Sequence, residues 1–263
     1  MKFDAILLDI ASGVATITLN RPDKLNSFTS AMHADLKQAM GIIQADTSVR
    51  VLMITGAGRG FCAGQDLSER MMGDGEQPTD VGSSLEKNYN PLLKQLRALP
   101  YPVVCAVNGV AAGAGCNLVL ACDIVIAAKS ATFIQAFSRI GLIPDAGGTY
   151  TLPRLVGTAR AMAAAMLAEK VSAQQAEQWG MIWKCVDDER LMPEATALVR
   201  QLAGQATRAL GLTKRAIYAS AGNSFEQQLD LERDLQREAA KSDDFREGVQ
   251  AFKEKRSARF SGR

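Results

Sequence analysis

Apolar and polar positions alternate along the chain in two different rhythms, and the change from one to the other predicts the architecture. Residues 3–10 and Val14–Leu19 flank a short Ala11-Ser12-Gly13 turn, and the second arm alternates in β-rich residues, so a hairpin is expected at the start. Arg21-Pro22-Asp23 breaks that strand. A helix then follows Thr29, with Met32, Leu36, Met40 and Ile43 recurring at spacings of three and four. Residues 50–55 and Val103–Val107 are short continuous apolar runs of the buried-strand type. A helix over 85–99, a Gly/Ala turn, a helix over 117–121 and a strand over 123–127 complete an alternation of strands and helices. That alternation predicts an α/β unit with parallel pairing and right-handed crossovers.

From about residue 157 the rhythm is helical: 158–168, 172–179, 188–221 and 225–256, with one brief extended segment at 181–186. The last stretch is heavily charged with a sparse apolar stripe, the pattern of a helix packed on a neighbouring surface or subunit. The polar, Gly- and Pro-rich segment 71–84 reads as a loop, with Met71 and Met72 as lid candidates.

Charge narrows the choice of function. With 30 Lys+Arg, 28 Asp+Glu and a net charge of +2, the chain lacks the basic excess of a dedicated polyanion binder. Between Arg97 and Lys129 the only charged residue is Asp123, but prolines, glycines and asparagines interrupt the run, so it reads as core and not as a membrane span. No signal-like apolar run opens the chain, and five cysteines (Cys62, Cys105, Cys116, Cys122, Cys185) without a C-x-x-C pair point to a reducing compartment and a cytoplasmic protein. The single histidine, His33, lies on the first predicted helix and reads as a packing residue. A His-rich metal site is excluded, so proton transfer falls to carboxylates and no metal is expected.

Nucleotide and hydrolase motifs fail. A G-x-G-x-x-G frame starting at Gly56 would need glycine where Phe61 stands, one starting at Gly113 meets Leu118, and neither a P-loop nor a G-x-S-x-G elbow is present. Three Gly/Ala turns remain: Gly60–Leu67, Asn108–Gly115 and Gly141–Thr149. Each is compatible with simple close packing. Each also lets a ligand approach backbone N–H groups that can hold an anionic oxygen.

Taken in order, and with Asn20-Arg21-Pro22, Leu25-Asn26-Ser27-Phe28 and Phe252-Lys253-Glu254-Lys255-Arg256, these turns resemble the crotonase (enoyl-CoA hydratase/isomerase) superfamily over essentially the whole chain. The resemblance implies an α/β spiral of ββα units as a core over residues 1–195 with a helical C-terminal trimerisation region over 196–263, assembly as a homo-trimer or hexamer, and an acyl-CoA thioester as substrate. Coenzyme A is part of that substrate, and no separate cofactor is implied. The resemblance also implies an enolate stabilised by two backbone N–H groups, by position those of Ala63 and Ala114. Small side chains suit that role, because the donors are main-chain groups.

Hydratases of the superfamily use two glutamates, and at their positions this chain has Asn117 and Phe137. An acid stands instead at Asp145, directly after Pro144, as in the superfamily's isomerases. Asp145 is thus the expected acid/base, with a helix N-cap as its alternative role. An apolar surround of Phe137, Ile140 and Leu142 would make its carboxylate more basic. Gly58–Leu67, Asn90-Pro91-Leu92, Gly141–Asp145, Trp179–Trp183 and Leu229–Asp234 match most fully the isomerases that act on the ring epoxide of a phenylacetyl-CoA thioester. The substrate-contacting set expected from the motifs is Cys62, Gln65, Asp66, Leu67, Gly113, Asn117, Phe137, Leu142 and Phe252. Lys24 and Asn26 are expected at the adenine and Lys255 at the phosphates, with a solvated face as the plain alternative for the lysines. Asn117 has an equal alternative, a buried amide capping a neighbouring turn. Competing readings are an enoyl-CoA hydratase, an aryl-CoA dehalogenase-like enzyme with Asp145 as nucleophile, and an RNA-binding protein of the same fold.

Overall fold

The computed structural model describes residues 3–70 and 80–262. The expected lid residues Met71 and Met72 lie outside them. Strands β1 (Ile6–Ala11) and β2 (Val14–Leu19) form the expected hairpin, with Ala11 opposite Val14. Ser12 (φ 52°) and Gly13 (φ 79°) both adopt the left-handed backbone of a two-residue turn matched to strand twist. Helix α1 (Ser30–Ala45) starts where the hydroxyl of Thr29 accepts the Met32 N–H.

The chain then winds as a spiral of ββα units, as the family resemblance implied. Strands β3 (Val51–Gly56) and β4 (Gly60–Cys62) lead into α2 (Val81–Ser84), a π-helical turn over Leu85–Tyr89 and α3 (Asn90–Ala98). The single helix expected over 85–99 therefore begins earlier and changes its winding. Strands β5 (Val103–Val107) and β6 (Val110–Ala112) lead into α4 (Ala114–Leu120). Strands β7 (Ile124–Ala128) and β8 (Thr132–Ile134) precede α5 (Gly148–Val156) and α6 (Thr158–Leu167). Then come β9 (Val171–Ser172), α7 (Ala173–Gln178), β10 (Lys184–Val186), α8 (Leu191–Ala203), α9 (Thr207–Ser220), α10 (Phe225–Ala239) and α11 (Asp243–Glu254). The two long helices expected after residue 188 are each interrupted, at 204–206 and at 240–242, where Ser242 caps α11.

Every first strand of a unit joins one six-stranded sheet, ordered β1-β2-β3-β5-β7-β10 and parallel from β2 onward. The second strands of the later units, β4, β6 and β8, form a four-stranded sheet that β9 completes, in the order β4-β6-β8-β9. The continuous apolar runs are explained by burial on both faces. Leu52 and Ile54 of β3 face the main core with α1, whereas Val51 and Met53 face a second cluster closed by Leu191, Ala195, Val199 and Leu202 of α8. The boundary expected at 195/196 falls inside α8, and residues on both sides of it cover the sheet. It is corrected accordingly: α8 belongs to the core. Beyond it, α9 is tied to the sheet by Asp123, which accepts the Val103 N–H at 2.7 Å, the Tyr218 hydroxyl at 2.6 Å and the Lys214 ammonium at 2.8 Å.

Candidate active site

A cavity of about 220 Å³ brings together the three Gly/Ala turns. Its lining includes Ala63, Gly64, Gln65 and Leu67 from the first, Gly113 and Ala114 from the second, and Leu142 and Asp145 from the third, with Tyr89, Phe137, Arg139 and Ile140 between them. A larger groove of about 1150 Å³ beside α1, α3 and α9 contains none of the expected site residues.

The first wall follows β4. Phe28 donates its N–H to the Gly64 carbonyl at 2.7 Å, and its own carbonyl accepts the Asp66 N–H at 2.8 Å. In such a parallel bridge the residue between the two bonds turns its N–H away from the partner strand. Gln65 is that residue. Gly64 has φ +91°, and a β-carbon there would lie 2.9 Å from the Ala112 carbonyl oxygen, so only glycine brings the two turns this close. Ala63 does not fill the role expected of it. Its N–H donates to the Leu25 carbonyl at 2.9 Å and is committed to that bond, whereas Gln65 is the residue of this wall whose N–H turns away from the Phe28 segment. The Gln65 side chain is braced as well: its carbonyl accepts the Tyr89 hydroxyl at 2.7 Å, and its amide donates to the Phe28 carbonyl at 3.1 Å.

Ala114 begins α4, preceded by Gly113 as the capping residue. A helix-opening N–H has no acceptor within its own helix, which suits Ala114 to hold an incoming oxygen. Asp145 lies two residues ahead of Gly147, the capping residue of α5, where no side chain caps the helix. The N-cap alternative for Asp145 is thereby removed. The loop is held instead through the Asp145 backbone carbonyl, which accepts the Gly148 N–H at 2.8 Å and the Asn117 side-chain amide at 2.8 Å.

Several expected substrate contacts are structural. Asn117 is 0% exposed and absent from the cavity wall. Its carbonyl accepts the Gln135 amide at 2.8 Å while its own amide holds Asp145, which is the turn-bracing alternative. Asn26 is also 0% exposed: it accepts the Arg21 N–H and donates to the Ala57 and Gly60 carbonyls, so it knots the loop before β4 and does not line an adenine pocket. Asp66 is committed to the Arg21 guanidinium at 3.0 Å and to Ser68. The Ser68 hydroxyl, with Arg21 beside it, holds that carboxyl down at about 2. Cys62 is buried, and burial pushes its thiol, like that of Cys116, up to about 12, so neither supplies a thiolate.

Lys24, Lys255 and Phe252 are exposed and lie outside the cavity wall, Phe252 at 86%. His33 is a packing residue as expected, stacked on Phe28 at 5.1 Å and edge-on to Tyr89 at 4.4 Å. Tyr89 and Gln135 were not legible as site residues. A lone tyrosine in a helix and a lone glutamine after a strand carry no local signal.

Among the described residues no group of three His, Cys, Asp or Glu side chains could hold a metal ion, and no helix is long and apolar enough to cross a membrane.

Comparison with known proteins agrees with this geometry. Residues 9–263 match the family model described as enoyl-CoA hydratase/isomerase. The chain is 55% identical over 258 residues to the 1,2-epoxyphenylacetyl-CoA isomerase of Escherichia coli, covering 98% of each chain. It is 34% identical over the full length of both chains to the trans-2-decenoyl-[acyl-carrier-protein] isomerase of Streptococcus mutans. Among solved structures, the enoyl-CoA hydratase of Bacillus anthracis superposes with a TM-score of 0.92 at 34% identity, over 99% of this chain and 100% of that one.

Proposed function

The chain belongs to the enoyl-CoA hydratase/isomerase family, and on that premise we propose that it is an acyl-CoA isomerase acting on the ring epoxide of a phenylacetyl-CoA thioester. The product is the oxepin form, made in phenylacetate breakdown, and Δ3,Δ2-enoyl-CoA isomerisation is a related activity. One observation carries the reading. Gln65, Ala114 and Asp145 line one cavity, while the positions that would hold a hydratase's glutamates are the committed amide of Asn117 and the phenyl ring of Phe137.

The chemistry follows from that set. The thioester oxygen sits against the backbone N–H groups of Gln65 and Ala114, which stabilise negative charge as it develops there; one such donor contributes about 2.7–4 kcal/mol to lowering the barrier. Asp145 removes the Cα proton, and the electron pair passes to the thioester oxygen and through the conjugated system. In alkene isomerisation Asp145 returns the same proton at the far carbon; with the ring epoxide the electron pair drives ring expansion to the oxepin, and Asp145 returns the proton to a ring carbon, so that the product is an isomer of the substrate and the carboxylate is regenerated. Phe137, Ile140 and Leu142 supply the apolar wall for the acyl group. No cofactor is required beyond the coenzyme A carried by the substrate. Assembly as a trimer or hexamer and a cytoplasmic location belong to the same reading, supported by the exposed Phe245, Val249 and Phe252 stripe of α11 and by five cysteines without a disulfide.

The test is turnover by the purified protein of the ring-epoxide thioester and of a 3-enoyl-CoA, with crotonyl-CoA as control. Isomerisation of the first two with slow hydration of the third is expected. Rapid hydration of crotonyl-CoA overturns the reading in favour of a hydratase.

A further inference from the structure

Two elements carry the opposing halves of the site. Helix α4 presents Ala114, and the loop before α5 presents Asp145. Among the described residues, one side chain joins them by a hydrogen bond. Asn117 stands one turn after Ala114 on α4, fully buried, and its amide reaches 2.8 Å to the Asp145 backbone carbonyl. Its orientation is set from behind by Gln135, 2% exposed, which donates to the Asn117 carbonyl at 2.8 Å. The fit around it is close: a β-carbon on Gly148 would lie 2.3 Å from the Asn117 amide nitrogen. The loop it grips is under strain, because Ala146, directly after Asp145, adopts φ +46°, a left-handed conformation unfavourable for a residue with a side chain. A strained turn persists only where its surroundings over-determine it.

We propose that Asn117 is a positioning residue for the isomerase reaction, with its amide, oriented by Gln135, setting the place of the Asp145 carboxylate relative to the Ala114 N–H. This rests on the acid/base role given to Asp145 above. Asn117 is fully buried and absent from the cavity wall, so its role in this proposal is indirect. It acts by holding the carbonyl of Asp145, and a displacement of about 1 Å at a reacting group can cost on the order of 100-fold in rate.

The substitutions N117A and N117D test it, read as kcat and KM on a 3-enoyl-CoA across pH, with thermal unfolding and affinity for a non-reactive CoA thioester as controls on the fold. N117A is expected to lower kcat by about 10- to 100-fold with KM changed by less than about twofold. In N117D the ionised carboxylate has no proton to donate to the Asp145 carbonyl and repels it. Once protonated, it is a near-isosteric donor. Buried and facing a carbonyl, that carboxyl takes up its proton more readily than an ordinary one. Its activity relative to wild type therefore rises as pH falls, whereas the N117A deficit stays flat.

Nearby groups do not confuse this profile: the Cys62 and Cys116 thiols are held up at about 12, and Arg139 and Asp145 on the cavity wall are common to all three proteins. If N117A does not fold, N117D carries the test. A folded N117A with kcat within twofold of wild type overturns the proposal, and so does an N117D deficit that does not change with pH. Absence of wild-type turnover on the thioesters overturns the functional reading, and this one with it. Wild-type turnover with indifferent Asn117 variants overturns this inference alone.

Discussion

Two aspartates sit on loops that border the same cavity, and the loops hold them in opposite ways. In the loop after β4, the side chain of Asp66 does the holding: it grips Arg21 and Ser68, and its neighbours Gln65 and Leu67 face the cavity in its place. In the loop before α5, the backbone of Asp145 is gripped, by Asn117 and Gly148, and the side chain lines the cavity. The same residue type is a brace in one place and, in the proposed reaction, the acid/base in the other. The difference lies in where each loop is gripped: Arg21 and Ser68 hold the Asp66 carboxylate, and a carboxylate held by donors is stabilised in its charged form and is a poor base, whereas Asn117 and Gly148 hold the Asp145 carbonyl.

Replacing Asp145 by Asn keeps the shape and removes the base. Isomerase turnover is expected to fall by about 10²- to 10⁴-fold, with the affinity for a CoA thioester and the thermal midpoint near those of wild type. A folded, ligand-binding D145N that retains full turnover would sink the role given to this loop. The same loop can be disturbed from its backbone. G148A drives a methyl group to within 2.3 Å of the Asn117 amide unless one of them shifts. A loss of about 1–3 kcal/mol in denaturant unfolding is expected from the overpacking, together with a reduced kcat. Unchanged stability and rate would show that the contact is slack.

At the other loop the effect should fall on stability. D66N leaves Arg21 without its charged partner and weakens the bonds to Ser68, for about 1–3 kcal/mol at neutral pH, with a smaller change in kcat than D145N. The sign with pH follows from the lowered carboxyl. Asp66 is held at about 2 in the folded chain against roughly 3.9 for an unfolded one, so its contribution is complete above about pH 4 and is lost as pH falls toward 2. Thermal midpoints of wild type and D66N should converge over that window. A gap that persists at pH 2 would mean that the loop is held by something other than the charge.

The legible parts of the fold were those with a period. The hairpin, α1 after its Thr29 cap, and the apolar runs of β3 and β5 stand close to where their patterns placed them. The strands of the second sheet were not legible, because three residues such as Gly60–Cys62 or Val110–Ala112 are too short to show alternation and sit among glycines that read as turns. Similarly, Ala114 read as part of a turn, although the helix begins there. Among site residues, Asp145, Ala114 and Phe137 fall on the cavity wall as expected. Asn26, Cys62, Asp66 and Asn117 came from the right motifs but serve the scaffold, since a motif marks where a loop must be built as readily as where it touches a ligand.

By itself the sequence determined which groups can take part at all. It has one histidine and no disulfide or metal pattern, lacks the hydratase glutamates, and keeps a carboxylate after Pro144 among turns small enough for close approach. Only the tertiary structure decided how those groups are used. It committed the Ala63 N–H to Leu25 and turned the Gln65 N–H away from the Phe28 segment, and it tied Asn117 to a carbonyl 28 residues away. The physical reason is that each backbone or amide group can be committed to a partner distant in the chain. Local pattern records residue type and period, whereas hydrogen-bond commitments are settled when distant segments meet and every buried donor and acceptor must find its partner.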